Sequence, residues 1–138
     1  MTENEIIEMV NKICKAFEKR EFNNFISLFS DDVVFEIPFS AEGGTRYEGL
    51  SKIKTHFEGV NTRPWVKLVQ LNRVSARVYV STTPGIITVE YFSEGTSLKA
   101  GNSFTLQTSI AVIQIAGKKI VHYKDFLNVN GIAKIAGA

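Results

Sequence analysis

An α+β fold is predicted by three observations. Helical periodicity is confined to the first sixty residues, β-type runs fill most of the remaining chain, and no helical stretch separates those runs. Helices first and strands afterwards, without crossovers between them, point to an antiparallel sheet with helices packed on one face. At 138 residues the chain suits one domain, spanning 1–138, with a sizeable core.

The first helix is marked by Ile6, Met9, Val10, Ile13, Cys14 and Phe17 at helical spacing. Thr2 and Glu5 form a capping-box pattern before it, and Lys15, Lys19 and Arg20 suit the dipole at its end. After a break near Glu21, a short second helix carries Phe22, Phe25, Ile26, Leu28 and Phe29, with Ser30-Asp31-Asp32 as its stop. Val33 to Ile37 alternates as a short strand ended by Pro38. Ser40 to Glu48 reads as a loop hinged at Gly43-Gly44, and Gly49 to Gly59 as a third helix with Leu50, Ile53 and Phe57 on one face.

Strands are then predicted at Trp65–Leu71, Val74–Val80, Ile86–Phe92, Phe104–Ile115 and Lys119–Asn128, with turns at Thr83-Pro84-Gly85 and Gly117. Ser93 to Asn102, containing Gly95 and Gly101, reads as a mobile rim loop. The small apolar tail from Gly131 to Ala138 reads as fraying or lying across the surface.

Composition narrows the function classes. Hydrophobic residues make up 44% and charged residues 22%, which argues against disorder as the main state. Sixteen basic and fourteen acidic residues leave a net charge of +2, which gives no electrostatic reason to expect nucleic acid or a membrane surface as partner. No apolar run approaches the length of a membrane span, and the acidic start is not a signal peptide, so a cytoplasmic protein is expected. The single cysteine, Cys14, allows no internal disulfide and fits a packed thiol better than a nucleophile. Gly43-Gly44 lacks the partners of a phosphate loop, and His56 and His122 form neither an HExxH motif nor a Cys/His cluster, so neither metal nor cofactor is expected.

The last strand holds the most informative side chain. Val121, Tyr123, Asp125 and Leu127 share one face; Ile120, His122, Lys124, Phe126 and Asn128 share the other. Asp125 is the lone acid on an apolar and aromatic face. Such a carboxyl finds partners or shifts its pKa upward, as a general acid or base near neutral pH requires. The bland reading is an edge aspartate paired with a lysine or capping a turn. Glu90 alternates with Ile86, Thr88 and Phe92; it is either a proton-sharing partner of Asp125 on a common concave face or a cross-strand ion pair on the outer one. Glu36, opposite Phe35 and Ile37, reads as outward. His56 reads as exposed, and His122 faces away from Asp125; neither shows a partner.

Three stretches carry a family resemblance: Leu28 to Pro38, Arg46-Tyr47-Glu48-Gly49 before a helix, and Thr88-Val89-Glu90-Tyr91 with the later strand Tyr123 to Asn128. In this order and spacing the chain resembles, over nearly its whole length, the SnoaL-like branch of the nuclear transport factor 2 superfamily. The nearest likeness is to the ketosteroid-isomerase-related and PhzA/PhzB-like proteins. The resemblance implies a cone: a curved, mixed but mostly antiparallel sheet wrapped around three N-terminal helices. It also implies a small-molecule pocket in the mouth of the cone, and a homodimer. Polyketide cyclases, limonene epoxide hydrolases and PhzA/PhzB-like proteins place an acid where this chain has Asp125, and the PhzA/PhzB-like proteins tend to place a glutamate at Glu90.

The departures are as specific. The isomerase general base falls on Ile37, its oxyanion tyrosine near Ile13 and its second acid near Ala111, all apolar here. The epoxide hydrolases use an arginine around Val89 to Tyr91, where this chain has none. The resemblance therefore implies a cofactor-independent acid–base enzyme of isomerase, cyclase or condensation type. Its substrate would be a cyclic or aromatic carbonyl metabolite. Asp125 would be catalytic with Glu90 assisting, and Phe17, Phe35, Phe57, Trp65, Phe92 and Tyr123 would line the pocket. The alternative is a non-catalytic ligand-binding or dimeric association module.

Overall fold

The computed structural model describes residues 1–137, the side chain of Trp65 excepted. The order is α1 (Glu3–Lys19), α2 (Phe22–Ile26), β1 (Phe29–Ile37), β2 (Thr45–Glu48), α3 (Leu50–Val60) and α4 (Pro64–Leu68). β3 (Val69–Val80), β4 (Ile86–Ser97), β5 (Ser103–Ala116), β6 (Lys119–Leu127) and α5 (Val129–Ala136) complete it. The sheet is curved and open, with strand order β2-β1-β6-β5-β4-β3. β1 and β6 run parallel; the other neighbours are antiparallel.

α1 begins at the expected box. The Thr2 hydroxyl accepts from the Glu5 amide at 3.1 Å, and the Glu5 carboxylate accepts from the Thr2 amide at 3.0 Å. That amide, together with Lys118, holds the Glu5 pKa down at about 2. Met9, Val10, Ile13, Cys14 and Ala16 form the buried stripe of α1, which packs toward the inner face of β3. Arg20 ends the helix in the left-handed region at φ 56°, its amide bonded to the carbonyls of Ala16 and Phe17.

The centre of the core is aromatic. Phe25 is fully buried, with ring centroids 4.7 Å from Phe29, 4.8 Å from Phe17, 5.3 Å from Tyr123 and 5.5 Å from Phe57. Phe35 and Tyr123 face each other across the parallel β1–β6 pair and stack at 5.2 Å.

Several elements depart from the sequence expectation. Ser30-Asp31-Asp32 does not end α2 in a loop; β1 already starts at Phe29, and its register with β6 shifts between Phe29 and Val34, which leaves Asp31 and Asp32 exposed. The segment from Ser40 to Glu48 contains β2, which pairs with the end of β1 and is closed by a 2.8 Å hydroxyl contact between Ser40 and Thr45. Trp65–Leu71 is not one strand. Pro64 supplies the first turn of α4, where its missing N–H costs nothing. β3 then runs through to Val80, with a bulge between Leu71 and Arg73 that hides its continuity from a simple alternation count.

Ser93 to Asn102 is mostly paired: β4 extends to Ser97 and β5 starts at Ser103, so the rim is a short hairpin end. The tail is helical to Ala136, capped by the Asn128 side chain accepting from the Gly131 amide at 3.0 Å. Lys99 Nζ donates to the Gly137 carbonyl at 2.9 Å; Ala138 lies outside the described residues. No helix among the described residues is long and apolar enough to cross a membrane.

Gly95 shows how tightly β3 and β4 meet. A Cβ there would stand 2.0 Å from the Gln70 carbonyl oxygen and 3.0 Å from the Phe104 ring. Gly95→Ala is therefore expected to destabilise the fold by about 2 kcal/mol, the range of overpacked sites. Gly59→Ala, in α3 with open space around it, is expected to stabilise by about 0.5–1 kcal/mol through helix propensity. Urea unfolding of the pair checks both signs.

Candidate functional site

Asp125 enters the cone interior because the period of β6 carries it there. Tyr123, two residues earlier, is fully buried on the same face, and the register sets Asp125 against the buried Ala111 of β5. Ser109, buried and diagonal to Asp125 on that face, offers its hydroxyl. Asp125 is half-buried as a residue, yet its Oδ1 is sealed from solvent and has no hydrogen-bond partner. Burial pushes its pKa up to about 7, and the Ser109 hydroxyl offsets part of that rise.

Two tyrosines stand behind it. The Tyr123 hydroxyl donates to the Tyr91 hydroxyl at 3.1 Å, and both rings are buried. Desolvation raises both phenols well above the usual tyrosine range, and the nearby Asp125 charge adds to both shifts. Cys14, on the α1 face turned inward, is raised to about 11, chiefly by burial and then by Glu18. It is a packed thiol, not a thiolate nucleophile. Ionisation is thus disfavoured at every acidic group described in this interior, and Asp125 is the one poised near neutrality.

Glu90 does not join it. β4 alternates strictly, with Ile87, Val89, Tyr91 and Ser93 buried inward, so Glu90 points out with Phe92. There it accepts from the Tyr79 hydroxyl at 2.6 Å and from Gln107 Nε2 at 2.9 Å, and lies in register with Arg77. The expected two-carboxyl pair is therefore divided by the sheet.

The expected lining divides in the same way. Phe35, Phe57 and Tyr123 are buried in the core and Phe17 packs at its edge, 5.8 Å from Tyr91. These rings fill the interior against one another instead of framing an open space. Phe92 is on the outer face. The Trp65 side chain lies outside the described residues. A hollow of about 240 Å³ opens on the other, outer side of the sheet, lined by Gln107, Ser109, Ile110, Phe126 and Asn128, and Asp125 is not among its lining residues. Ser109 is the one lining residue that is also diagonal to Asp125, and the hollow itself does not reach the carboxyl.

Both histidines have neighbours that were not visible in the sequence. His122 faces away from Asp125, as alternation requires, and its Nε2 lies 2.5 Å from Glu36. Glu36 also pairs with Arg46 at 3.2 Å, and these partners, His122 foremost, hold its carboxyl below the usual range. His56 is half-buried against Tyr47 and Phe57, each 4.9 Å away. Burial first, and then Arg63, lowers its pKa. The isomerase-equivalent positions Ile13, Ile37 and Ala111 are buried core residues.

The family described as SnoaL-like domain matches this chain over residues 10–123. The uncharacterized protein YesE of Bacillus subtilis strain 168 is 25% identical over 123 residues, covering 88% of this chain and 80% of that protein. A Bacillus subtilis structure named provisionally as an isomerase superposes with a TM-score of 0.79 at 23% identity, covering 99% of this chain and 96% of the other. TerC, co-crystallized with polyporic acid, superposes with a TM-score of 0.71 at 19% identity, covering 97% and 99%. At these identities the two superpositions show a shared fold.

Proposed function

This chain belongs to the SnoaL-like domain family, and from that premise we propose that it is a cofactor-independent acid–base enzyme of isomerase, cyclase or condensation type, acting on a cyclic or aromatic carbonyl metabolite. One observation carries the reading: the Asp125 carboxyl, raised to about 7, has a sealed, unpartnered oxygen on the inner face of the sheet, diagonal to the buried Ser109. A carboxyl near neutrality serves as acid and as base in a single turnover. As carboxylate it takes a proton from the carbon next to the substrate carbonyl, leaving an enolate. As carboxylic acid it returns that proton to another carbon or to the oxygen. Ser109 holds the carboxyl in place. TerC, which shares this fold, was crystallised with a small organic ligand, polyporic acid, and this supports a small-molecule substrate. The partner in this reading is a second copy of the chain, meeting it through the outer sheet face where Tyr79 and Ile110 are exposed.

Hydrogen–deuterium exchange next to the carbonyl of cyclic and aryl ketones, followed by proton NMR in D₂O, tests the chemistry on simple ketones, whatever the natural substrate. The wild-type chain is expected to catalyse exchange, and Asp125→Asn to lose about 100-fold or more. Exchange indifferent to Asp125→Asn sinks the proposal. A second reading, a ligand-binding module without turnover, is favoured by apolar Ile13, Ile37 and Ala111 and by the filled interior. Saturable ketone binding with no exchange, equal in the wild type and Asp125→Asn, selects it.

A further inference from the structure

A second hollow, of about 410 Å³, lies away from Asp125 and shares no lining residue with the first. It is bounded by the end of α1, by α4, by the start of β3 and by Leu98 of the β4–β5 hairpin. Its volume falls in the range of small-molecule sites, about 300–1,000 Å³. Its floor is apolar: Val66 and Val69 are buried, Leu71 is half-buried, and Leu98 leaves more than half of its surface open to solvent, at 54%.

Its charge is lopsided. Lys19, Arg20 and Lys67 line it, against the single acid Glu18, which is already paired with Lys15 at 3.2 Å. Arg20 is fixed rather than free: its Nη2 donates to the Val69 carbonyl at 2.6 Å, and its backbone sits in the left-handed cap of α1. The carbonyls of Ala16 and Phe17 at this helix end are already bonded to the Arg20 amide, so they present little bare negative charge to the hollow. Among the described residues no carboxylate stands within ion-pair distance of Arg20 or Lys67. A part-buried guanidinium without a counter-charge, over an apolar floor, is complementary to an anion with a hydrocarbon body.

We propose that this hollow binds a small carboxylate with a hydrocarbon body, its apolar part on Val66, Val69, Leu71 and Leu98 and its carboxylate on Arg20 and Lys67. The site is independent of the chemistry at Asp125.

The test is a titration of the full chain with sodium octanoate, followed by amide NMR, with 1-octanol as the neutral control and acetate as the control without a tail. Octanoate is expected to shift the amides of Arg20, Lys67, Gln70 and Leu98 saturably, and to bind about tenfold more tightly than either control. Arg20→Gln is expected to weaken it about tenfold. Lys67→Gln and Leu98→Asp alter exposed side chains, so they read the site even if Arg20→Gln unfolds; the first should weaken octanoate and the second should abolish its binding. The proposal is overturned if octanol binds as well as octanoate, if the shifts map elsewhere, or if Lys67→Gln and Leu98→Asp leave the affinity unchanged.

Discussion

Asp125→Asn is expected to stabilise the protein at pH 8 by up to about 4 kcal/mol while changing it little at pH 4. The carboxyl titrates near 3.9 in an unfolded chain and at about 7 in the folded one. Between those values the folded protein keeps a proton that the unfolded chain has released. Stability therefore falls as pH rises through this window. The favourable contribution is complete below about pH 4 and lost above about pH 7. An asparagine carries no such charge at any pH, so the variant escapes the loss, less whatever its own amide costs in a site with an unpartnered oxygen. In thermal unfolding the gap between the two proteins should widen to the order of 10 °C between pH 4 and pH 8. Two parallel pH profiles would mean that Asp125 is solvated or paired, and the acid–base reading would lose its basis.

Phe25→Ala should cost about 3–5 kcal/mol, the largest loss expected from any single truncation of the core. Phe25 is the hub through which α1, α2, α3 and the β1–β6 pair touch: its ring meets Phe17, Phe29, Phe57 and Tyr123 within 5.5 Å. Those neighbours are held by strands and longer helices and cannot collapse fully into the space left behind. A loss of that size is a large part of the 5–15 kcal/mol that ordinarily separates folded from unfolded chains. Phe39→Ala is the matched control. Phe39 is 70% exposed and meets the Phe126 ring 5.4 Å away. It should cost less than about 1 kcal/mol. Comparable losses for the two variants in urea unfolding would contradict an aromatic core centred on Phe25.

The sequence carried some of this and not the rest, for reasons particular residues make plain. β6 was readable because its two faces differ: Tyr123 and Asp125 alternate with His122 and Lys124, and the structure keeps that division. β4 was not, because Ile86, Thr88 and Phe92 are as β-forming as Ile87, Val89 and Tyr91, so alternation groups Glu90 without choosing its face. What decides is register: Arg77, Tyr79 and Gln107, which come from β3 and β5, meet Glu90 on the outer side. The same holds for Glu36 and His122, brought together across 86 positions by a parallel pairing with an irregular register. β2, four residues long, is too short for a periodic signal and owes its place to the hairpin closed by Ser40 and Thr45. α4 was missed because one helical turn of Pro64, Trp65, Val66, Lys67 and Leu68 has the composition of a strand. Pro64 was the available clue, since proline opens helices more readily than it enters a sheet.

The central claim is that a carboxyl inside this sheet stands ready to exchange protons at neutral pH. The measurement that tests it most directly is a carboxyl-carbon NMR titration of the free protein, with the Asp125 signal assigned by its absence from Asp125→Asn. The account predicts a midpoint of about 7. A midpoint near 3.9, the value of a free aspartate, or below it would contradict the claim.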